Sequence, residues 1–370
     1  MATVSGFGVD STDSRAYPET GFKKACFVIS PEPAESRRRA TISQVAAAAN
    51  VSAPTVSRVV NNSAGVAPAT RARVEAAIQE LDYRPSAIAR ALSYGRTMTV
   101  GAVVPFLTHP SAVQRIRGLI DGLRASSFPL SLYDVEQPAH RLEHLEVLTG
   151  SQPPMGTVVV SLQPSPDELE AFRLTVSPVV FIDVDVPGFS RVVIDHTEGG
   201  RLATQHLIDL GHERIGFIGD AEDDPFGFVS SVLHHRGYRD ALTGAGIAAD
   251  PDLELTGPHG RNVARTLGDL MLASRLRPTA VFAASDTQAL GVIDAARDRG
   301  LDVPSELSVV GFDDVEVSGY VGLTTVRQPL EESGRRAAEI LIDAIATPNP
   351  DVVCEHLPLE LVIRETTGAP

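Results

Sequence analysis

Thr41-Ile-Ser-Gln-Val-Ala-Ala-Ala-Ala-Asn50-Val-Ser-Ala-Pro-Thr-Val-Ser-Arg-Val-Val-Asn61 decides how the first part of the chain is read. Thr41 followed by Gln44 makes a capping box ahead of Val45 to Ala49, which predicts a small-residue helix of about two turns. Asn50 tolerates the left-handed backbone that a tight turn requires. Ser52 is the next N-cap, Pro54 suits a first helical turn, and Val56, Val59 and Val60 give the second helix one apolar face. The opposite face carries Ala53, Thr55, Ser57, Arg58 and Asn61. A third helix reads from about Pro68 to Leu81, with Val74, Ala77, Ile78 and Leu81 as its buried stripe.

Charge singles out the same region. The 370 residues carry a formal net charge of -15, which taken as an average argues against a polyanionic partner. The average conceals a boundary. Nine arginines between residues 37 and 100 face only Glu75, Glu80 and Asp82, a local balance of +6, whereas residues 1–36 carry -2 and residues 101–370 carry -19. A small basic module joined to a large acidic one is a cue for nucleic-acid contact. A helix entering a major groove about 12 Å wide needs compact or hydrogen-bonding side chains on its leading face, and Thr55, Ser57 and Arg58 qualify. An ordinary core hairpin would not leave Thr, Ser, Arg and Asn on one face beside this charge, so a helix-turn-helix is expected.

After Tyr83-Arg84-Pro85, Ser86 to Leu92 is helix-prone but too poor in apolar area to stand alone. From Thr99 the period changes. Strand-like runs such as Val100–Val104, Thr157–Ser161, Val179–Asp183, Ile215–Gly219, Ala280–Ala284 and Ser308–Phe312 alternate with helix-like ones such as Ala112–Ala125, Gly200–Leu210, Thr287–Arg299 and Leu330–Ile345. That alternation predicts parallel sheets flanked by helices, and about 270 residues suffice for two with a cleft between them. Cys26 and Cys354 are too few for a disulfide framework or a metal site. No apolar run has the length of a membrane span and no secretory leader is legible, so a cytoplasmic protein is expected. Residues 1–39 read as a flexible extension or an overlong start. No P-loop, Gly-x-Gly-x-x-Gly, His-Glu-x-x-His or Gly-x-Ser-x-Gly stands at a suitable junction, so neither an enzyme nor a cofactor is expected.

The segment Thr41–Asn61 closely resembles the DNA-binding headpiece of the LacI/GalR family of bacterial transcription regulators. The resemblance continues through Thr70–Pro85, Leu210–Gly219, Ala284–Asp286, Val309–Asp314 and Leu323–Pro329, and covers about residues 40–366. It implies an α/β protein: an all-α helix-turn-helix headpiece at 40–85, a hinge helix and linker at 86–98, and a periplasmic-binding-protein-like α/β core at 99–366. Within the core, the N-subdomain is expected at about 99–195 and 326–352, and the C-subdomain at about 196–325 and 353–366. Ala53, Pro54 and Arg58 then stand where the family reads base edges, with Thr41, Ser52, Thr55, Ser57 and Asn61 near phosphates or bases. Leu92 stands where the family wedges a leucine into the minor groove, with Ala89 one turn earlier.

The same resemblance places the effector pocket at Ser111, Ser161, Asp183, His234, His259, Ser285 and Asp313. Asp183 and Asp313 close strand-like runs and suit paired hydroxyl bonds from a sugar; turn or cap roles are the alternatives, and for Asp286 a helix cap. The family commonly has an arginine at His234, which neighbouring Arg236 would replace only after a small shift. It often has an aromatic ring at His259; the chain has no tryptophan, which leaves Phe106, Phe226 and Phe228 as possible platforms. The expected partners are a pseudo-palindromic operator in double-stranded DNA, a small polar effector of the carbohydrate class and a second copy of the chain. No heptad helix follows the last strand-like run, Leu359–Arg364, so a dimer rather than a tetramer is expected. The alternative is a cytosolic sugar-binding protein or enzyme of the same core fold without operator function.

Overall fold

The computed structural model describes residues 40–60, 65–83, 96–224, 226–274 and 277–370. The candidates Asn61, Ala89 and Leu92, and the expected hinge helix, lie outside the described residues.

The first unit contains α1 (Ile42–Ala48), α2 (Ala53–Val60) and α3 (Pro68–Glu80). The capping box is present: Gln44 N–H donates to the Thr41 hydroxyl and Thr41 N–H donates to the Gln44 side-chain oxygen Oε1. Asn50 adopts φ +52°, so the left-handed turn forms without glycine. Val45, Val56, Val59, Val74, Ala77 and Tyr83 close a small core among the three helices. The start of α3 has Pro68 but no side-chain cap at Ala67.

The second unit holds two six-stranded sheets. β1 (Thr97–Pro105), β2 (Leu130–Val135), β3 (Pro154–Val160), β4 (Val179–Ile182) and β5 (Ser190–Val193) make most of the first sheet, and α4 (Pro110–Leu123), α5 (Pro138–Thr149) and α6 (Pro166–Leu174) connect them. The chain then crosses into the second sheet. This is built from β6 (Ile215–Asp220), β7 (Glu254–Gly257), β8 (Ala280–Ala283), β9 (Ser308–Asp313) and β10 (Thr324–Arg327), with α7 (His196–Asp209), α8 (Ser230–Gly244), α9 (Arg261–Ala273), α10 (Asp286–Asp298) and the short α11 (Glu316–Tyr320). α12 (Leu330–Ala346) and β11 (Cys354–His356) return to the first sheet, and β12 (Glu360–Val362) ends in the second. The orders are β11-β5-β4-β3-β1-β2 and β12-β10-β9-β8-β6-β7. All pairings are parallel except β10 with β12. Central strands such as Val179–Ile182 are buried throughout because helices cover both faces, which is why they read as continuous apolar runs.

The crossovers correct the expected subdomain boundaries. β10 stays in the second sheet through Arg327, and β11 pairs with β5 in the first, so the last crossover follows His356 rather than residue 353. The edge strand is held by backbone bonding to β5 and by Arg336 on Glu355, and neither leaves an apolar signature.

Glycines set two helix crossings. A Cβ on Gly334 of α12 would lie 2.0 Å from the Arg115 carbonyl of α4, and one on Gly118 1.8 Å from that of Glu331. A Cβ on Gly237 of α8 would lie 1.9 Å from the Thr197 carbonyl of α7, and one on Gly200 2.2 Å from that of His234. Only hydrogen permits these backbone approaches. No helix among the described residues is long and apolar enough to cross a membrane.

Candidate operator-reading helix and effector cavity

On α2, Pro54 and Arg58 are exposed and Thr55 and Ser57 half-buried. Thr55 N–H donates to the Ser52 hydroxyl at 3.4 Å, and the two hydroxyls lie 2.9 Å apart. Thr41 is exposed, although its hydroxyl serves the capping box. Ala53, the first residue of α2, is half-buried like Thr55 and Ser57, and it also packs against the three-helix core.

A cavity of about 100 Å³ lies at the carboxyl ends of both sheets, where strand order reverses and open α/β sheets place ligands. Ser111, Ser161, Asp183, His234, His259, Ser285 and Asp313 all line it. Phe106, Ser161, Asp183 and Asp313, each following or closing a strand, have φ of +46°, +54°, +75° and +117°. Non-glycine residues in this region cost of order 1–3 kcal/mol each and gather at ligand sites.

Asp183 is the electrostatic centre. Its Oδ1 lies 3.0 Å from Arg115 and 3.0 Å from His196 Nε2, while the Ser161 hydroxyl donates to Oδ2 at 2.7 Å. Burial opposes its ionisation, yet Arg115, His196 and Ser161 outweigh burial and hold the carboxyl well below the usual carboxylate range. Arg115 also donates to Gln328 Oε1 at 2.9 Å, and the Gln328 amide donates to Asp313. Burial pushes the Asp313 carboxyl up, against the pull of that amide and of Arg115. Asp220 accepts from Gln288 at 2.8 Å and faces His259 Nδ1 at 3.0 Å. Burial disfavours a charge on His259, but Asp220, Asp313 and Asp224 raise its pKa overall. Across the cavity His109 stacks on Phe106 with ring centroids 4.9 Å apart, and burial followed by the His259 charge lowers its pKa.

The structure also answers the open sequence readings. Arg236 is exposed and does not line the cavity; the guanidinium comes from Arg115 instead. Asp286 neither caps a helix nor lines the cavity. Ser285 caps α10, accepting from Gln288 N–H at 3.2 Å, while buried Asp286 accepts from Val315 N–H and the Ser318 and Thr325 hydroxyls. Phe106 and Phe228 line the cavity, and Phe226 meets Phe106 edge-on at 4.8 Å. Arg115, His196, Asp220 and Gln328 escaped the sequence reading. Arg115 had a signal: it falls on the apolar stripe of Ala112, Ile116, Leu119 and Leu123, where an arginine needs a buried partner.

Residues 41–86 match the model described as bacterial regulatory proteins, lacI family, and residues 204–367 match the periplasmic binding protein-like domain. The ribose operon repressor of Escherichia coli (strain K12) is 35% identical over 314 residues, covering 84% of this chain and 94% of the relative. The chain belongs to the lacI family of bacterial regulatory proteins. Among solved structures of this family, the lac repressor dimer bound to operator and the anti-inducer ONPF is 28% identical with a TM-score of 0.75, covering 90% of this chain and all of the other. The complex of the transcriptional regulator CelR with cellobiose is 33% identical with a TM-score of 0.66, covering 89% and 100%.

In this LacI-family chain an arginine also ties the subdomains together. Arg141 of α5 forks onto Glu168 at 2.9 and 2.6 Å and donates to the carbonyls of Gln163 and Phe226, both at 2.7 Å. Phe226 belongs to the β6–α8 loop of the opposite subdomain, so this guanidinium clamps the loop that carries the aromatic wall. Arg141→Lys keeps the charge and loses the fork. We expect about a tenfold loss of effector affinity, one charged hydrogen bond's worth, with faster amide exchange confined to residues 226–229. Unchanged exchange there would remove Arg141 as a clamp.

Proposed function

We propose that this chain is a cytoplasmic, sequence-specific transcriptional repressor. It acts as a homodimer on a pseudo-palindromic operator, and a small polar effector, a sugar or sugar derivative, changes its operator affinity. The carrying observation is that one chain joins a basic helix-turn-helix, with Pro54 and Arg58 exposed on its second helix, to a strand-end cavity lined by carboxylates and hydroxyls. Relatives named for the ribose operon and for cellobiose binding favour the carbohydrate class.

Arg58 donates two bonds to guanine O6 and N7, worth about 1–3 kcal/mol of discrimination. Ala53 and Pro54 offer apolar contact to thymine methyls. Thr41, Ser52, Thr55, Ser57 and Asn61 hold phosphates or neighbouring bases, and Ala89 and Leu92 face the minor groove. Effector and operator each prefer one arrangement of the subdomains, so each changes the other's affinity by the same factor, typically about 1–3 kcal/mol of coupling.

Selection from a random duplex library tests the reading. The full chain should enrich a two-fold symmetric site, and Arg58→Ala should relax one position in each half-site; an unaltered profile removes Arg58 from the readout. A chain without residues 1–95 should lose duplex binding and keep its ligand, whereas a sugar-binding protein or enzyme of this fold would lose nothing essential.

A further inference from the structure

One fully buried carboxylate lies behind the effector cavity. Asp286 follows Ser285, which caps α10 and lines the cavity after β8. Its side chain crosses to the neighbouring strand, where β9 ends on Asp313, a second cavity residue. There Oδ2 accepts from Val315 N–H at 2.9 Å and from the Ser318 hydroxyl at 2.6 Å, while Oδ1 accepts from the Thr325 hydroxyl at 2.6 Å. β9 leaves room for this carboxyl at Gly311, where a Cβ would lie 2.3 Å from Oδ1.

The turn held in this way is strained. Asp313 and Asp314 take φ of +117° and +59° in succession. Non-glycine residues in this region cost about 1–3 kcal/mol each and persist only where the surroundings fix them. Two ties do so. Arg364 at 2.6 Å and Arg327 at 2.7 Å hold the Asp314 carboxylate, and Asp286 holds the backbone at Val315, two residues beyond Asp313.

Stability alone does not explain a carboxyl in this place. Burial, and then the charge of Asp313, push its pKa up to about 7, so its ionised form is disfavoured where an apolar side chain would carry no such penalty. An apolar side chain could not, however, gather one backbone amide and two hydroxyls from the β9–α11 loop, α11 and β10. The gathering does not depend on charge, because a protonated carboxyl keeps acceptor capacity.

We propose that Asp286 is a positioning residue for effector binding: it touches no effector, and it locks the turn after β9 so that Asp313 stands at a fixed place beside Ser285 in the cavity. The proposal rests on the effector reading above.

Hydrogen exchange on the full chain, followed by mass spectrometry, tests the lock without a ligand. Asp286→Ala should speed exchange over residues 313–318 at least about a hundredfold and leave the first sheet unchanged. Asp286→Asn should stay within about threefold of native, because its oxygen serves Val315 and Ser318 and its amide donates to a Thr325 hydroxyl that turns to accept. Ser318→Ala removes one donor and should give about a fivefold increase, which keeps the test decisive if Asp286→Ala does not fold. Exchange that rises equally in both sheets, or an asparagine variant as fast as the alanine one, overturns the lock. Calorimetry with D-ribose and D-glucose then reads the cavity. A sugar that binds the native chain should bind Asp286→Ala at least about tenfold more weakly, about 1.4 kcal/mol, and Asp286→Asn within about threefold. Undiminished affinity in Asp286→Ala overturns the positioning role. If neither sugar binds the native chain, that failure belongs to the effector reading, and exchange over residues 313–318 still decides whether Asp286 locks the turn.

Discussion

Arg115→Met should cost the core about 3–5 kcal/mol, the usual penalty for removing one partner of a buried ion pair. The Arg115 side chain is 5% exposed and that of Asp183 8%, so water cannot replace the guanidinium. Methionine suits the apolar stripe on which Arg115 sits, so lost packing is not the source of the effect. The double variant Arg115→Met/Asp183→Asn removes both charges and should recover much of the loss. The pH dependence has a definite sign. Native Asp183 has a depressed pKa, so its contribution is fully present above the ordinary carboxyl value of about 4 and disappears as pH falls through the lower folded value. The gap between native protein and Arg115→Met should therefore be widest near neutrality and narrow below about pH 4. Chemical denaturation at a series of pH values reads both. A loss under about 1 kcal/mol, or a gap indifferent to acid, means that Arg115 does not hold the charge on Asp183.

Which parts of this molecule were legible follows from how local their causes are. The capping box of Thr41 and Gln44 and the turn at Asn50 depend on residues within a few positions of one another, and they formed as read. The central strands were legible because burial on both faces demands unbroken apolar runs. The edge strands β2, β7 and β11 are half exposed and are defined by pairing with distant strands, which no local pattern reports. The same division runs through the cavity. Asp183 and Asp313 were visible because they terminate apolar runs. The apolar stripe around Arg115 signals only its burial, and the roles of Arg115 and His196 exist only once α4, α7 and β4 converge on one carboxylate. Asp286 shows the opposite error: its position before a helix suggested a cap, but its three donors come from the β9–α11 loop, α11 and β10.

Raising salt from about 50 to about 200 mM should weaken operator binding about a thousandfold. The stretch from residue 37 to residue 100 carries nine arginines and no lysine, and Lys23 and Lys24 are the only lysines of the chain. Arginine must therefore supply the cationic phosphate contacts. If each headpiece of a dimer neutralises about three phosphates, the logarithm of affinity falls with the logarithm of salt at a slope of about -5. The body, at -19, offers DNA no attraction that would steepen this slope. Repulsion from charges more than a Debye length away, about 10 Å at 0.1 M, is largely screened, so the contact arginines dominate the dependence. Arg73, exposed on α3, separates this contribution from base reading. Arg73→Gln should reduce the slope by about two for the dimer, one phosphate per copy, and leave the preferred sequence unchanged. A native slope near zero would mean that the basic module does not engage the backbone. A shifted sequence preference in Arg73→Gln would instead place that arginine against a base edge.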